Sequence, residues 1–237
     1  PDDELKRLAS TFNDMIDRLQ GAFYRQTQFV SDASHELRTP IAVIQGYANL
    51  LDRWGKDDRD ALEKSINAIK IETTNMAALV EKLLFIAKGD SGTQKIEKKN
   101  LWVNELVDEV VNESKLIAPS YIISSNTNDV VNVFADYKML KQMLRIFVDN
   151  SIKFTTEGGK IDISSIQIAD KIEITVSDTG IGIPSDETQN IFERFYCVSK
   201  SRSKEYSGSG LGLSIAKWIV DMHLGSINVE SVEGKGT

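Results

Sequence analysis

Histidine is scarce in this chain, two in 237 residues, and one of them stands in the string "SHELRTP", Ser34–Pro40. An imidazole beside a carboxylate can act as a nucleophile with its own base: the acid accepts one ring N–H, fixes the tautomer and leaves the other nitrogen bare. Apolar residues recur around the string in steps of three and four, which places it on a helix. At about 100° per residue, Ala33, Leu37 and Ile41 set the core direction, and His35 points roughly 160° away from it into solvent. Thr39, one turn on, shares that exposed face, while Glu36 lies on its flank. Pro40 removes the N–H that would bond the Glu36 carbonyl, so a kink is expected there. Ser34 points elsewhere on the helix and completes no serine hydrolase set. A merely solvated histidine is the plainer reading of any single such residue.

Further along, separate strings carry residues suited to a phosphate-bearing ligand. In "DNSIKFT", Asp149–Thr155, Asn150 and Lys153 share one helix face and offer an amide oxygen for Mg²⁺ and a cation for phosphate. "DTGIGI", Asp178–Ile183, follows a strand; its glycines allow a sharp turn and close approach, and its aspartate accepts a hydrogen bond from an amine. "FERFY", Phe192–Tyr196, reads as core or as the anchor of a lid. "GSGLGL", Gly208–Leu213, opens a helix and presents N–H groups to an anion. Between the last two lies "VSKSRSKEYS", Val198–Ser207, basic in an acidic protein. Taken singly, each string has an ordinary explanation as a solvated face or a glycine turn. No GxxxxGK[ST] string occurs, which excludes a P-loop enzyme.

The elements that would position these residues fall into two groups. From Leu5 through Leu8, Phe12, Met15, Leu19 and Ala22 runs a heptad seam, which predicts a coiled coil and a dimer. Steps of four near residue 35 shift the stripe before it resumes. After the polar break Arg53–Asp58, residues from Leu62 to Ile86 form a second amphipathic helix, and two copies of such a hairpin cover their stripes as a four-helix bundle. Near residue 90 the pattern changes. Strands are expected at 95–99, 121–125, 130–134, 160–168, 171–177 and 226–231, and helices at 101–116, 137–154 and 211–223, an α+β sandwich with helices on one face of a sheet.

Composition narrows the function classes. A net charge of −7 argues against nucleic-acid binding, and one cysteine excludes an internal disulfide. No apolar run reaches membrane-span length. The chain opens at Pro1 without methionine and closes on "GKGT", so it reads as a soluble fragment of something longer.

"FVSDASHELRTPIAVIQGY", Phe29–Tyr47, resembles the phosphoacceptor box of the sensor histidine kinases of two-component systems, and the four later strings, in order, resemble that family's N, G1, F and G2 boxes. The resemblance implies a fold: an all-α antiparallel hairpin forming a dimeric four-helix bundle, then a GHKL (Bergerat) α+β sandwich. It divides the chain into a signalling helix continuing a HAMP-type linker (1–22), a dimerisation and phosphoacceptor hairpin (23–89) and a catalytic ATP-binding domain (93–237). His35 is then the phosphoacceptor, Glu36 its acid/base partner and Thr39 the residue that orients water in phosphatase action. Asn150 would hold Mg²⁺, Lys153 a phosphate and Asp178 the adenine amine, with Gly180, Gly182, Gly210 and Gly212 shaping the pocket. Phe154, Ile183, Gly208, Leu211 and Leu213 join the ATP-binding set, as do Lys200 and Arg202 of the lid. Partners implied are a second copy and a response regulator receiver domain; the implied location is the cytoplasmic portion of a membrane-anchored sensor. Departures from the pattern are Ile146, where many members carry asparagine, Cys197 and Ser199 in the lid, and the lack of a last strand. His223 reads as a structural helix terminus. Two rivals remain: a GHKL ATPase without phosphohistidine, and a non-catalytic dimeric scaffold.

Overall fold

A computed structural model describes residues 2–54, 58–198 and 208–237, which cluster into two compact units, Pro1–Leu83 and Leu84–Thr237. The first consists of helix α1 (Asp2–Trp54) and most of helix α2 (Arg59–Asp90). Pro40 lies inside α1 without ending it and is one of the few buried residues of this unit. Asp58 starts α2 by accepting the Ala61 N–H at 3.0 Å, a capping contact that satisfies one of the donors left open at a helix start. Ser65 and Leu79 are buried on α2, whereas Ile66 is 42% exposed.

The second unit mixes strands and helices. Strand β1 (Lys99–Trp102) pairs antiparallel with β3 (Asn132–Ala135), and β2 (Ile122–Ser124), β4 (Lys160–Ile168) and β5 (Lys171–Asp178) form a sheet in the order β2-β4-β5. β2 runs parallel to β4, and β4 antiparallel to β5. Three helices, α3 (Val103–Ile117), α4 (Tyr137–Phe154) and α5 (Gly212–Met222), supply the other layer. α3 and α4 pack on β4 and α5 packs on α4, in a core where Leu106, Val110, Val148, Ile161, Ile163 and Ile219 are fully buried. The expected α+β sandwich is present.

Two strand expectations are corrected. The first strand begins at Lys99, not Lys95, because Leu101 and Trp102 pair with Val133 and Asn132 before α3 starts, while Glu97 donates its N–H to the Asp136 carboxylate at 2.7 Å instead. Residues 226–231 form no strand. They keep the alternation of half-buried and exposed side chains, but have no ladder partner among the described residues, and a strand exists only through its pairing.

The end of α5 is a Schellman turn in which Gly225 N–H bonds the Val220 carbonyl and Leu224 N–H the Asp221 carbonyl. The left-handed position is taken by Leu224, φ 58°, not by glycine. His223 is structural, as expected, but through a different contact: its Nε2 accepts the Asp136 N–H at 3.0 Å, tying α5 to the start of α4.

Candidate active site

In the helical unit, His35, Glu36 and Thr39 all lie on the solvent side of α1. Ser34 is turned back along the helix, its Oγ donating to the Val30 carbonyl at 2.7 Å, which takes it out of any role at the imidazole. Partial desolvation raises the Glu36 carboxyl above its ordinary value; the Asp32 charge adds to the rise and His35 opposes it.

The second unit brings the separated strings together. Asn150 and Lys153 occupy the last turns of α4, with the Lys153 ammonium 5.0 Å from the centre of the Phe154 ring. A Cβ on Gly208 would stand 2.7 Å from that same ammonium, which puts the α4 lysine against the glycine string that precedes α5. Ile146 packs on Gly212, where an added Cβ would meet Ile146 Cγ2 at 3.3 Å. α4 also reaches the turn after β5. The Phe154 carbonyl accepts the Ile181 N–H at 3.1 Å and would lie 2.6 Å from a Cβ on Gly180. In the same turn the Asp178 carboxylate accepts the Gly180 N–H at 2.8 Å and the Ser151 hydroxyl at 3.0 Å.

Close backbone approach accounts for the glycines. Gly210 has φ +64°, and a side chain there would strike the backbone of Phe195, itself at φ +61°. An aromatic residue in the left-handed region is a strained conformation, held here by the Phe195 N–H to Gly210 carbonyl bond of 3.0 Å. A Cβ on Gly182 would collide with the Val232 carbonyl, and Ile183 N–H donates to Ser231 Oγ at 2.8 Å. Leu211, at the N-cap of α5, makes no side-chain capping bond, and among the described residues none is seen to the first N–H groups of the helix. Leu211 is fully buried and serves the core, whereas Leu213 is half-buried. Lys200 and Arg202, together with Ser199 and Lys204, lie outside the described residues.

The His Kinase A (phospho-acceptor) domain model matches residues 25–92, and the histidine kinase-, DNA gyrase B-, and HSP90-like ATPase model matches residues 135–237. The catalytic domain of histidine kinase ThkA is 32% identical, with TM-score 0.50, the match covering 59% of this chain and 90% of that one. This chain belongs to the two-component sensor histidine kinases. The signal transduction histidine-protein kinase ArlS of Staphylococcus aureus (strain USA300) is 40% identical across 99% of this histidine kinase and 52% of its own length, so the chain spans about half of that relative. ThkA in complex with response regulator protein TrrA aligns at TM-score 0.66 and 28% identity, over 84% of this chain and 55% of that one. Full-length ShkA in complex with AMPPNP aligns at TM-score 0.64 and 25% identity, over 88% and 43%.

Several residues at the histidine kinase's glycine-lined site carry no signal in the sequence. Ser151 reads as one polar residue on a helix, and Gly236, where a Cβ would collide with the Asp178 carbonyl, belongs to none of the motif strings. Arg194 lies within "FERFY" and forms a two-pronged ion pair with Asp90, at 2.6 and 2.8 Å. The spacing of 104 residues hides it.

Proposed function

We propose that this histidine kinase transfers the γ-phosphoryl group of ATP to His35 and passes it on to an aspartate of a response regulator. The observation that carries the proposal is the convergence of α4, the turn after β5 and the start of α5 around Lys153, Asp178, Gly180 and Gly208, in a domain of ATPase type. In this reading Asp178 accepts the adenine amine, Lys153 and the first N–H groups of α5 meet the phosphates, and Phe154, Ile183 and Leu213 flank the nucleotide. Lys200 and Arg202 add positive charge from the lid. Mg²⁺, when bound, spreads the charge of the phosphates. Asn150 is the protein group that would hold it, through its amide oxygen, with the other ligands supplied by water and substrate.

The bare His35 nitrogen attacks the γ-phosphorus as the bond to the ADP oxygen breaks, while Glu36 holds the N–H on the other side of the ring. Catalysis is then positioning and charge stabilisation. Thr39, one turn from His35, orients water when the same protein dephosphorylates its regulator. The exposed seam of α1 pairs with that of a second copy, residues 1–22 continue a HAMP-type linker, and the parent is anchored in the membrane with this portion in the cytoplasm. Among the described residues, no helix is long and apolar enough to cross a membrane.

Incubation with Mg²⁺ and γ-labelled ATP tests the proposal. Label that is acid-labile, alkali-stable and absent in His35→Gln is the expected result. Phosphate release without labelled protein would replace the kinase reading with a plain ATPase, and failure to bind nucleotide would replace it with a scaffold.

A further inference from the structure

A serine inside a helix ordinarily bonds back to the carbonyl one turn earlier, as Ser34 and Ser114 do here. Ser151 does not. It lies on α4, 5% exposed, and its hydroxyl crosses to Oδ2 of Asp178, 27 residues away. The other carboxylate oxygen, Oδ1, takes the Gly180 N–H. Each oxygen is thus held by one protein donor, and a carboxylate has about four lone-pair sites, so each keeps one for a ligand. With Oδ1 alone held, the carboxylate could swing about its last torsion; with both held, its plane is set. Both anchors trace to the end of α4, since Gly180 stands in the turn whose Ile181 N–H bonds the Phe154 carbonyl.

We propose that Ser151 is a positioning residue for base selection: it sets the plane of the Asp178 carboxylate so that the carboxylate receives the exocyclic amine of a 6-aminopurine and discriminates against a purine lacking it. This rests on the reading of Asp178 as the adenine acceptor. Its effect is confined to the amine. Ser151→Ala removes the protein donor to Asp178 Oδ2, places a better helix former in α4 and keeps the acceptor charge of Asp178.

The test is equilibrium binding of two nucleotides, ATP and purine riboside triphosphate, which lacks the 6-amino group, to the whole chain in Mg²⁺, with thermal unfolding recorded for each variant. Ser151→Ala should weaken ATP about tenfold and change the amine-free nucleotide less than about twofold, with the variant still folded at the binding temperature. Equal weakening of both nucleotides, or no change for ATP, overturns the proposal. Asp178→Asn separates the two layers. If it abolishes the preference for ATP while Ser151→Ala keeps it, the serine assignment falls and the adenine reading stands; if it too keeps the preference, both fall.

Discussion

Helix α1 and the α+β unit contain similar apolar residues but use them differently. On α1, Leu8, Phe12, Met15 and Leu19 are all more than half exposed, whereas Leu106, Ile163 and Ile219 of the second unit are fully buried. The second unit closes its core within one chain. The first carries a stripe that one chain leaves open, so its stability is coupled to whatever covers it. Chemistry divides the same way: His35 stands on an open helix, and the nucleotide-site candidates are set by backbone contacts inside a closed core.

The largest effect that would sharpen the contrast is a core truncation. Leu144→Ala, at a residue 1% exposed, should destabilise the second unit by about 2–5 kcal/mol and leave the helical melt in place. A single shared transition shifted as a whole in calorimetry would break the distinction. Next comes Leu8→Ser with Leu19→Ser. Each leucine that a second copy covers contributes about 1.5–3 kcal/mol, so the double change should lower the concentration-dependent helical transition and leave the other untouched. A helical melt independent of concentration in the wild type would contradict the dimer. Smaller still, Asp58→Ala should cost the helical unit about 1 kcal/mol through loss of the α2 cap, and Leu224→Gly should raise the stability of the second unit by about 0.5–1 kcal/mol by relieving a left-handed leucine. Both are readable by chemical denaturation.

The subtlest test is the pH profile. Because the Glu36 carboxyl is raised, it keeps its proton to a higher pH than an ordinary glutamate, so the carboxylate proposed to serve His35 is lost earlier as pH falls. The acid limb of autophosphorylation should therefore be displaced upward from that of an ordinary glutamate, and Glu36→Gln should lower the plateau and flatten that limb. A limb unchanged in Glu36→Gln would show that the glutamate does not set it.

Legibility in the sequence follows the range of the interaction. α4 and β4 have the limits expected from periodicity alone, because the step between apolar residues is a local property that burial on one face makes visible. β1 lies later than local spacing indicates, since the pairing of Leu101 with Val133 is settled by a segment beyond the next helix and strand, and that pairing outweighs helical spacing. At 226–231 the alternation is present and the strand absent, because side-chain period and hydrogen-bond pairing are separate conditions.

By itself, the order of residues determined which chemistry was available: a solvent-facing histidine beside a carboxylate, and glycine strings following a strand and opening a helix. These are short-range facts, fixed by helix geometry and by the freedom of glycine. Tertiary structure decided which of those groups meet. It placed Ser151 on Asp178, Ile146 on Gly212, Gly210 beneath a strained Phe195 and His223 on the first turn of α4. Each contact joins residues well separated along the chain, whose approach depends on packing the sheet against its helices, so no local pattern announces it.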